Sequence, residues 1–219
     1  MIEVTAEDRV LEICIERPEA KNALTLAMYD AMSDALEQAE QSDDIRVVLF
    51  RGSHGVFTSG NDLQDFIEDP PLGEDSPVFR FLQKIVSFPK PVVAAVDGWA
   101  VGIGTTLLLH CDLVYVSGDA QLKMPFVNLG LCPEYGSSLI LPRLLGHARA
   151  AELLLLGQGF SGEQAAAWGI ANQALDGGAA TQRAAHEAAL RFLDLAPSAV
   201  ADSKRLMRAP GREELRKVI

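Results

Sequence analysis

The sequence predicts an α/β fold in one domain, and three observations carry that prediction. The run from Pro91 to Val116, PVVAAVDGWAVGIGTTLLLHCDLVYV, reads without a break as strand, glycine turn, buried helix and strand. A second glycine turn, in VFTSGNDL from Val56, also follows a strand and leads into a helical segment. A chain of 219 residues with a 48% apolar fraction is long enough to enclose one large core around such units.

In chain order, Ile2 to Thr5 and Val10 to Ile15 are expected as a hairpin around Glu7-Asp8. Pro18 ends the second strand. Thr25 is then a good N-cap, with Leu24 and Tyr29 placed as a hydrophobic staple, for a helix to about Gln41. Met28, Met32, Ala35, Leu36 and Ala39 give it a buried stripe at helical spacing. Arg46 to Gly52 is expected as a strand, Leu63 as a helix start with Asp62 as its cap or a loop brace, and Glu68 to Pro77 as a Pro-, Gly- and acid-rich loop. An amphipathic helix follows from Val78 to Ser87. Val92 to Val96 is short and wholly apolar, as a strand buried on both faces requires. Thr105 to Cys111 suits a short core helix, and Leu113 to Ser117 with Gln121 to Lys123 suggest a strand pair around Gly118-Asp119. Further helices are expected after Pro133-Glu134, from Ala148 to Leu156, from Ser161 with Gln164 as a capping box, from Ala179 to Leu195 and from Pro197 to Met207, with a short strand within Ile170 to Leu175.

Composition narrows the function. A net charge of −11 argues against a general nucleic-acid or anionic-membrane surface. The 91–116 run is no membrane span, because Asp97, His110, Asp112 and the glycines at 98, 102 and 104 interrupt it. Gly102 and Gly104 give a G-x-G, but the third glycine of a dinucleotide fingerprint would fall at Leu107, and the P-loop pattern fails too. Cys14, Cys111 and Cys132 are odd in number and far apart, so neither a disulfide framework nor a zinc site is indicated; they read as core thiols in a reducing compartment. The N-terminus MIEVTAEDRV carries acids where a targeting peptide carries basic residues, so the expected location is cytoplasmic.

Chemistry can arise at the glycine turns. The first N–H groups of a helix lack internal partners and sit at the positive end of its dipole, so a glycine-lined entry can hold a carbonyl oxygen gaining negative charge. The alternative is a glycine pair that only lets helix and strand pack closely. Glu134 is the candidate acid–base residue, against a plainer role at a helix start beside Pro133. Lys21 and Asn22 lie in a loop where they touch a ligand or only water, and His54, His110 and Trp168 read as surface or packing residues.

Together, RPEAKNAL, FTSGNDL, KPVVAAVDGWAVGIG and CDLVYVSGDAQLKMP resemble the enoyl-CoA hydratase/isomerase (crotonase) superfamily over nearly the whole chain. The resemblance implies a crotonase-like spiral of repeated ββα units with C-terminal helices, assembled as trimers or dimers of trimers. It implies an acyl-CoA thioester as substrate and no metal or redox cofactor, coenzyme A being part of the substrate. It places the backbone N–H groups of Asn61 and Ile103 at an oxyanion hole. The loop from Lys21 through Ala23 to Leu24, with Ser59 and Leu63, would surround the nucleotide end, and Gly60, Asp62, Gly102, Thr106 and Phe126 would complete the substrate-binding set, Phe126 within an apolar pocket. Residues 1–195 form the expected core, and 196–219 the start of a C-terminal helical region that the family usually continues, so that it is cut short here.

Departures from the family pattern bear on the reaction. Its hydratases carry two glutamates at the positions of Thr106 and Phe126, neither of which moves a proton as a carboxylate does. SGNDLQDF, MPFVNLGLCPEYGSS and LLGHARAAELLLLG are instead similar to the peroxisomal-type Δ3,Δ2-enoyl-CoA isomerases, whose acid–base glutamate matches Glu134, although Tyr135 precedes Gly136 here. The resemblance thus implies a single-base isomerase. The alternatives are another acyl-CoA reaction of the superfamily, hydration less so, or a non-catalytic acyl-CoA-binding protein.

Overall fold

The computed structural model describes residues 1–70, 73 and 75–218; Pro71, Leu72 and Glu74 of the expected loop lie outside the described residues. The hairpin forms as β1 (Ile2–Glu7) and β2 (Val10–Ile15), paired antiparallel. Its turn residues Asp8 and Arg9 take φ of 47° and 63°, the left-handed geometry whose twist suits a two-residue hairpin. The next helix, α1 (Leu26–Gln41), starts where the Thr25 hydroxyl accepts the Met28 N–H. Lys90 closes its other end, its Nζ donating to the carbonyls of Ala39, Ser42 and Ile45.

From there the chain repeats one step. β3 (Val47–Gly52) and β4 (Val56–Thr58) lead to α2 (Leu63–Glu68) and α3 (Pro77–Ser87). β5 (Val92–Val96) and β6 (Trp99–Val101) lead to α4 (Ile103–Thr106), and β7 (Leu113–Ser117) and β8 (Gln121–Lys123) lead to α5 (Ser137–Leu145) and α6 (His147–Leu155). The short strand β9 (Phe160–Ser161), α7 (Gly162–Ala167), β10 (Gln173–Leu175), α8 (Gly177–Arg191), α9 (Pro197–Arg208) and α10 (Arg212–Arg216) follow. The first strand of each step joins a six-stranded sheet of order β1-β2-β3-β5-β7-β10, and the second joins a four-stranded sheet of order β4-β6-β8-β9. This alternation is the expected spiral of ββα units.

The strand pair expected around Gly118-Asp119 is therefore corrected. β7 and β8 do not pair with each other; β7 lies beside β5, and β8 beside β6. The core helix is also shorter than expected, since α4 passes at Leu107 into a 3-10 turn ending at His110. Every residue of β5 is buried, as a strand covered on both faces requires. Val92, Ala94 and Val96 face the main core with α1 and α3, whereas Val93 and Ala95 meet Ala185 and Ala189 of α8, small residues that let the helix lie close. Cys14 is in the core, but Cys132 is exposed, a correction to its reading as a core thiol.

A partly buried ion cluster, with Lys204 as its buried member, fastens α9 to this body. Lys204 Nζ donates to the Asp112 carboxylate and the Lys90 carbonyl, each at 2.6 Å, and Arg208 donates to Asp112 at 2.9 Å and to the His110 carbonyl at 2.6 Å. Removing one member leaves the others' charge unpaired inside the fold. Asp112→Ala is expected to destabilise the protein by about 3 kcal/mol, read from the urea midpoint, with α9 becoming the first segment to lose amide-exchange protection.

Candidate active site

The two glycine turns meet because the strands before them pair. Thr58 of β4 stands opposite Ala100 of β6 in a parallel pair, with Phe57 as an extra, bulged residue. Asn61 and Ile103 each follow three residues later, one in each turn. Several neighbouring amides are engaged: Ser59 N–H donates to the Lys21 carbonyl, Gly60 N–H to the Thr58 hydroxyl, Asp62 N–H to the Leu24 carbonyl and Gly102 N–H to the Lys123 carbonyl. Among the described residues, the N–H groups of Asn61 and Ile103 donate to nothing, and neither do those of Leu63 and Gly104 in the same two turns. Ile103 is the first residue of α4, where an N–H has no partner in its own helix.

Close packing accounts for Gly104 and Gly60, whereas a Cβ on Gly102 would meet nothing within 4 Å. A Cβ on Gly104 would lie 2.5 Å from Thr58 Cγ2, and one on Gly60 would lie 3.0 Å from the Val101 carbonyl oxygen. Thr58 in turn donates its hydroxyl to the Asn22 carbonyl at 2.6 Å.

The loop from Lys21 to Leu24 lies along the first turn. Leu24 bridges Asn61 in parallel fashion, its N–H donating to Gly60 O and its carbonyl accepting from Asp62 N–H, each at 2.8 Å. Lys21 is exposed, Ala23 and Ser59 half-buried and Leu63 exposed, so this rim joins an exposed cation to an apolar side chain. Asp62 acts as cap and brace: its carboxylate accepts the Gln64 and Asp65 N–H groups and the Arg17 guanidinium at 2.7 Å. Those donors hold its carboxyl below the usual range, Arg17 first. Asn22 is corrected. It is fully buried rather than solvent-facing, with φ of 58°, accepting the Arg17 N–H and donating to the carbonyls of Ser53 and Val56. It therefore shapes the loop from inside.

Glu134 sits before the N-cap Gly136 of α5, outside the first helical turn, which removes the plain helix-start role. Tyr135 and Gly136 both take left-handed φ, of 54° and 69°, and this sharp corner directs the glutamate toward α4. There the Thr106 hydroxyl donates to Glu134 Oε1 at 2.6 Å. Thr106 is one turn along α4 from Ile103, so the carboxyl and the open amide share one short helix. The residue keeps some solvent contact, but its carboxyl is enclosed, and burial pushes its pKa up to about 7 against the opposing Thr106 bond. Tyr29, wholly buried and held neutral by that burial, donates its hydroxyl to Asn61 Oδ1. Phe126 is also buried.

This arrangement can bind a carbonyl oxygen on two backbone donors and move a proton on a nearby carboxyl with a pKa near neutrality, the equipment of enolate chemistry. The chain matches the family model described as enoyl-CoA hydratase/isomerase over residues 5–219. The chain belongs to that family. It is 35% identical to human enoyl-CoA delta isomerase 2 over 98% of this chain and 56% of that protein. It is 38% identical to the Escherichia coli 1,2-epoxyphenylacetyl-CoA isomerase over 78% of this chain and 68% of that one. The chain thus spans little more than half the length of the delta isomerases it matches. Among solved structures, Pseudomonas aeruginosa OdaA superposes with a TM-score of 0.97 at 63% identity, covering 99% of this chain and 87% of that one. An enoyl-CoA hydratase/isomerase from Pseudoalteromonas atlantica gives 0.94 at 39% identity, covering 99% and 86%.

Sequence reasoning missed two contributors: Tyr29 read only as a staple residue and Asn22 as a surface residue. The packing reading of His110 agrees with its burial against Tyr135. No helix among the described residues is long and apolar enough to cross a membrane.

Proposed function

We propose that this protein isomerises a 3-enoyl-CoA to its 2-trans isomer with Glu134 as the single acid–base group. The observation that carries the reading is the enclosed Glu134 carboxyl, with a pKa raised to about 7, bonded to Thr106 one turn beyond the open Ile103 amide. The thioester oxygen accepts from the Asn61 and Ile103 N–H groups. Charge moving onto that oxygen as the α-proton leaves is stabilised there, each such donor lowering the barrier by roughly 3 kcal/mol. Glu134 takes the α-proton, the dienolate forms, and the same carboxyl returns the proton to the γ-carbon, leaving the double bond conjugated with the thioester. A hydratase needs a second carboxyl at the reacting carbons, and Thr106 and Phe126 do not supply one. Lys21 meets the phosphates of coenzyme A at the rim.

The test is conversion of a 3-enoyl-CoA by the purified protein, followed by the absorbance of the conjugated thioester. Absence of turnover with retained thioester binding would favour the binding-protein reading. Turnover of other acyl-CoA thioesters alone would favour a different enolate reaction, for which the epoxyphenylacetyl-CoA isomerase relative is the precedent. A base must be unprotonated to act, so kcat/KM is expected to rise with pH through a midpoint near 7. The Thr106 bond favours the ionised carboxyl, so Thr106→Val is expected to move that midpoint to higher pH.

A further inference from the structure

We propose that His110 is a positioning residue for Glu134, acting through the backbone of Tyr135; the proposal rests on the assignment of Glu134 as the base. His110 closes the 3-10 turn after α4, is 3% exposed, and places Nε2 2.8 Å from the Tyr135 carbonyl oxygen. A carbonyl only accepts, so the imidazole must carry its proton on Nε2 and donate. Burial pushes the His110 pKa down to about 4, with Arg208 adding to the effect and the Tyr135 bond opposing it, so the ring is neutral wherever Glu134 titrates.

The bond falls on the corner that follows Glu134. Tyr135 takes a conformation that a side-chain-bearing residue adopts reluctantly, and Gly136 continues it. His110 stacks on the Tyr135 ring with centroids 4.0 Å apart and planes 30° apart, while the Tyr135 hydroxyl donates to the Leu82 carbonyl at 3.3 Å. On the other side of the corner, Ser137 Oγ donates to the Glu134 carbonyl at 2.6 Å. The corner is thus pinned at the carbonyls of Glu134 and Tyr135, and His110 ties the second of them to the turn that continues the helix bearing Ile103 and Thr106. The other titratable groups facing Glu134 are the Tyr29 and Tyr135 phenols, both neutral. A role in packing alone would need only an apolar ring at this position, not a donor.

Two substitutions order oppositely under the two roles. His110→Phe keeps the ring and loses the donor; His110→Gln loses the ring and keeps a donor of similar reach. Positioning predicts that kcat falls at least tenfold in His110→Phe with KM within about twofold, and that His110→Gln restores most of it. It also predicts a displaced pH midpoint in the Phe variant only. A Phe variant with wild-type kcat and midpoint, or a Gln variant that loses kcat while remaining folded, overturns the proposal. If the Phe variant does not fold, the Gln variant decides by the same criterion. If the wild-type protein turns over no 3-enoyl-CoA, the isomerase reading fails separately. The proposal is then read from the Glu134 carboxyl titration by carbon-13 NMR, which must shift in His110→Phe and stay at the wild-type midpoint in His110→Gln; an unshifted Phe variant, or an equal shift in both, overturns it.

Discussion

Glu134→Gln is expected to lower kcat for 3-enoyl-CoA isomerisation by about 10²- to 10⁴-fold, and at the same time to make the protein more stable at pH 8. The first effect follows from removing the only carboxyl that the Thr106 hydroxyl holds beside the open Ile103 amide. The second follows from linkage. The Glu134 pKa is about 7 in the folded protein against 4.5 for an ordinary glutamate, so between those values the folded state binds more protons than the unfolded one. The carboxyl is then neutral in both states below pH 4.5, and stability is lost as pH rises from there through 7, where the enclosed group ionises. At pH 8 the penalty has an upper limit of about 3 kcal/mol, because partial solvent contact screens the charge. Gln carries no charge at any pH, so the variant should gain stability over wild type at pH 8 and not at pH 4.5. Urea unfolding at both values, paired with kinetics, checks this. A variant that loses activity without gaining stability at high pH would mean that the wild-type carboxyl is well hydrated.

Ile103→Pro is expected to cost about 10²- to 10³-fold in kcat by deleting one oxyanion donor. Proline is usually an unusable probe of a helix, but Ile103 is the first residue of α4, where proline is accommodated and no helical hydrogen bond is lost. Gly102 before it has no Cβ to obstruct the ring. Ile103→Val is the control, since it trims the buried side chain and leaves the amide. Near-normal turnover in Val with a large loss in Pro assigns the effect to the N–H; equal losses in both would assign it to packing.

Much of the fold was legible because apolar spacing and caps agree with the tertiary structure. Thr25, Asp62 and the Ser161–Gln164 capping box all cap as read, and the apolar run at Val92 buries on both faces. What escaped depends on partners far along the chain. β6 is three residues between two glycines, too short to show a period, and becomes a strand only because β4 and β8 lie beside it. The turn at Gly118-Asp119 looked like a hairpin, yet it is where the chain changes sheets. Asn22 looks solvated in a polar loop, but its amide serves carbonyls of Ser53 and Val56 more than thirty positions on. The candidate site divides in the same way. The glycine turns and Glu134 are local patterns, whereas Tyr29 and His110 reach the site through contacts that no local spacing encodes.

The matched three-residue offset from Thr58 to Asn61 and from Ala100 to Ile103 ties the placement of the two proposed donors to the pairing of β4 with β6, neighbouring strands lying about 4.8 Å apart. The side chains at the two positions have tasks of their own, Asn61 Oδ1 accepting the Tyr29 hydroxyl and Ile103 packing in the core, but chain length governs where the amides fall. Adding or deleting a single residue in either turn would swing its amide away from the other. Insertions, so often harmless in loops, are here the most damaging class of change.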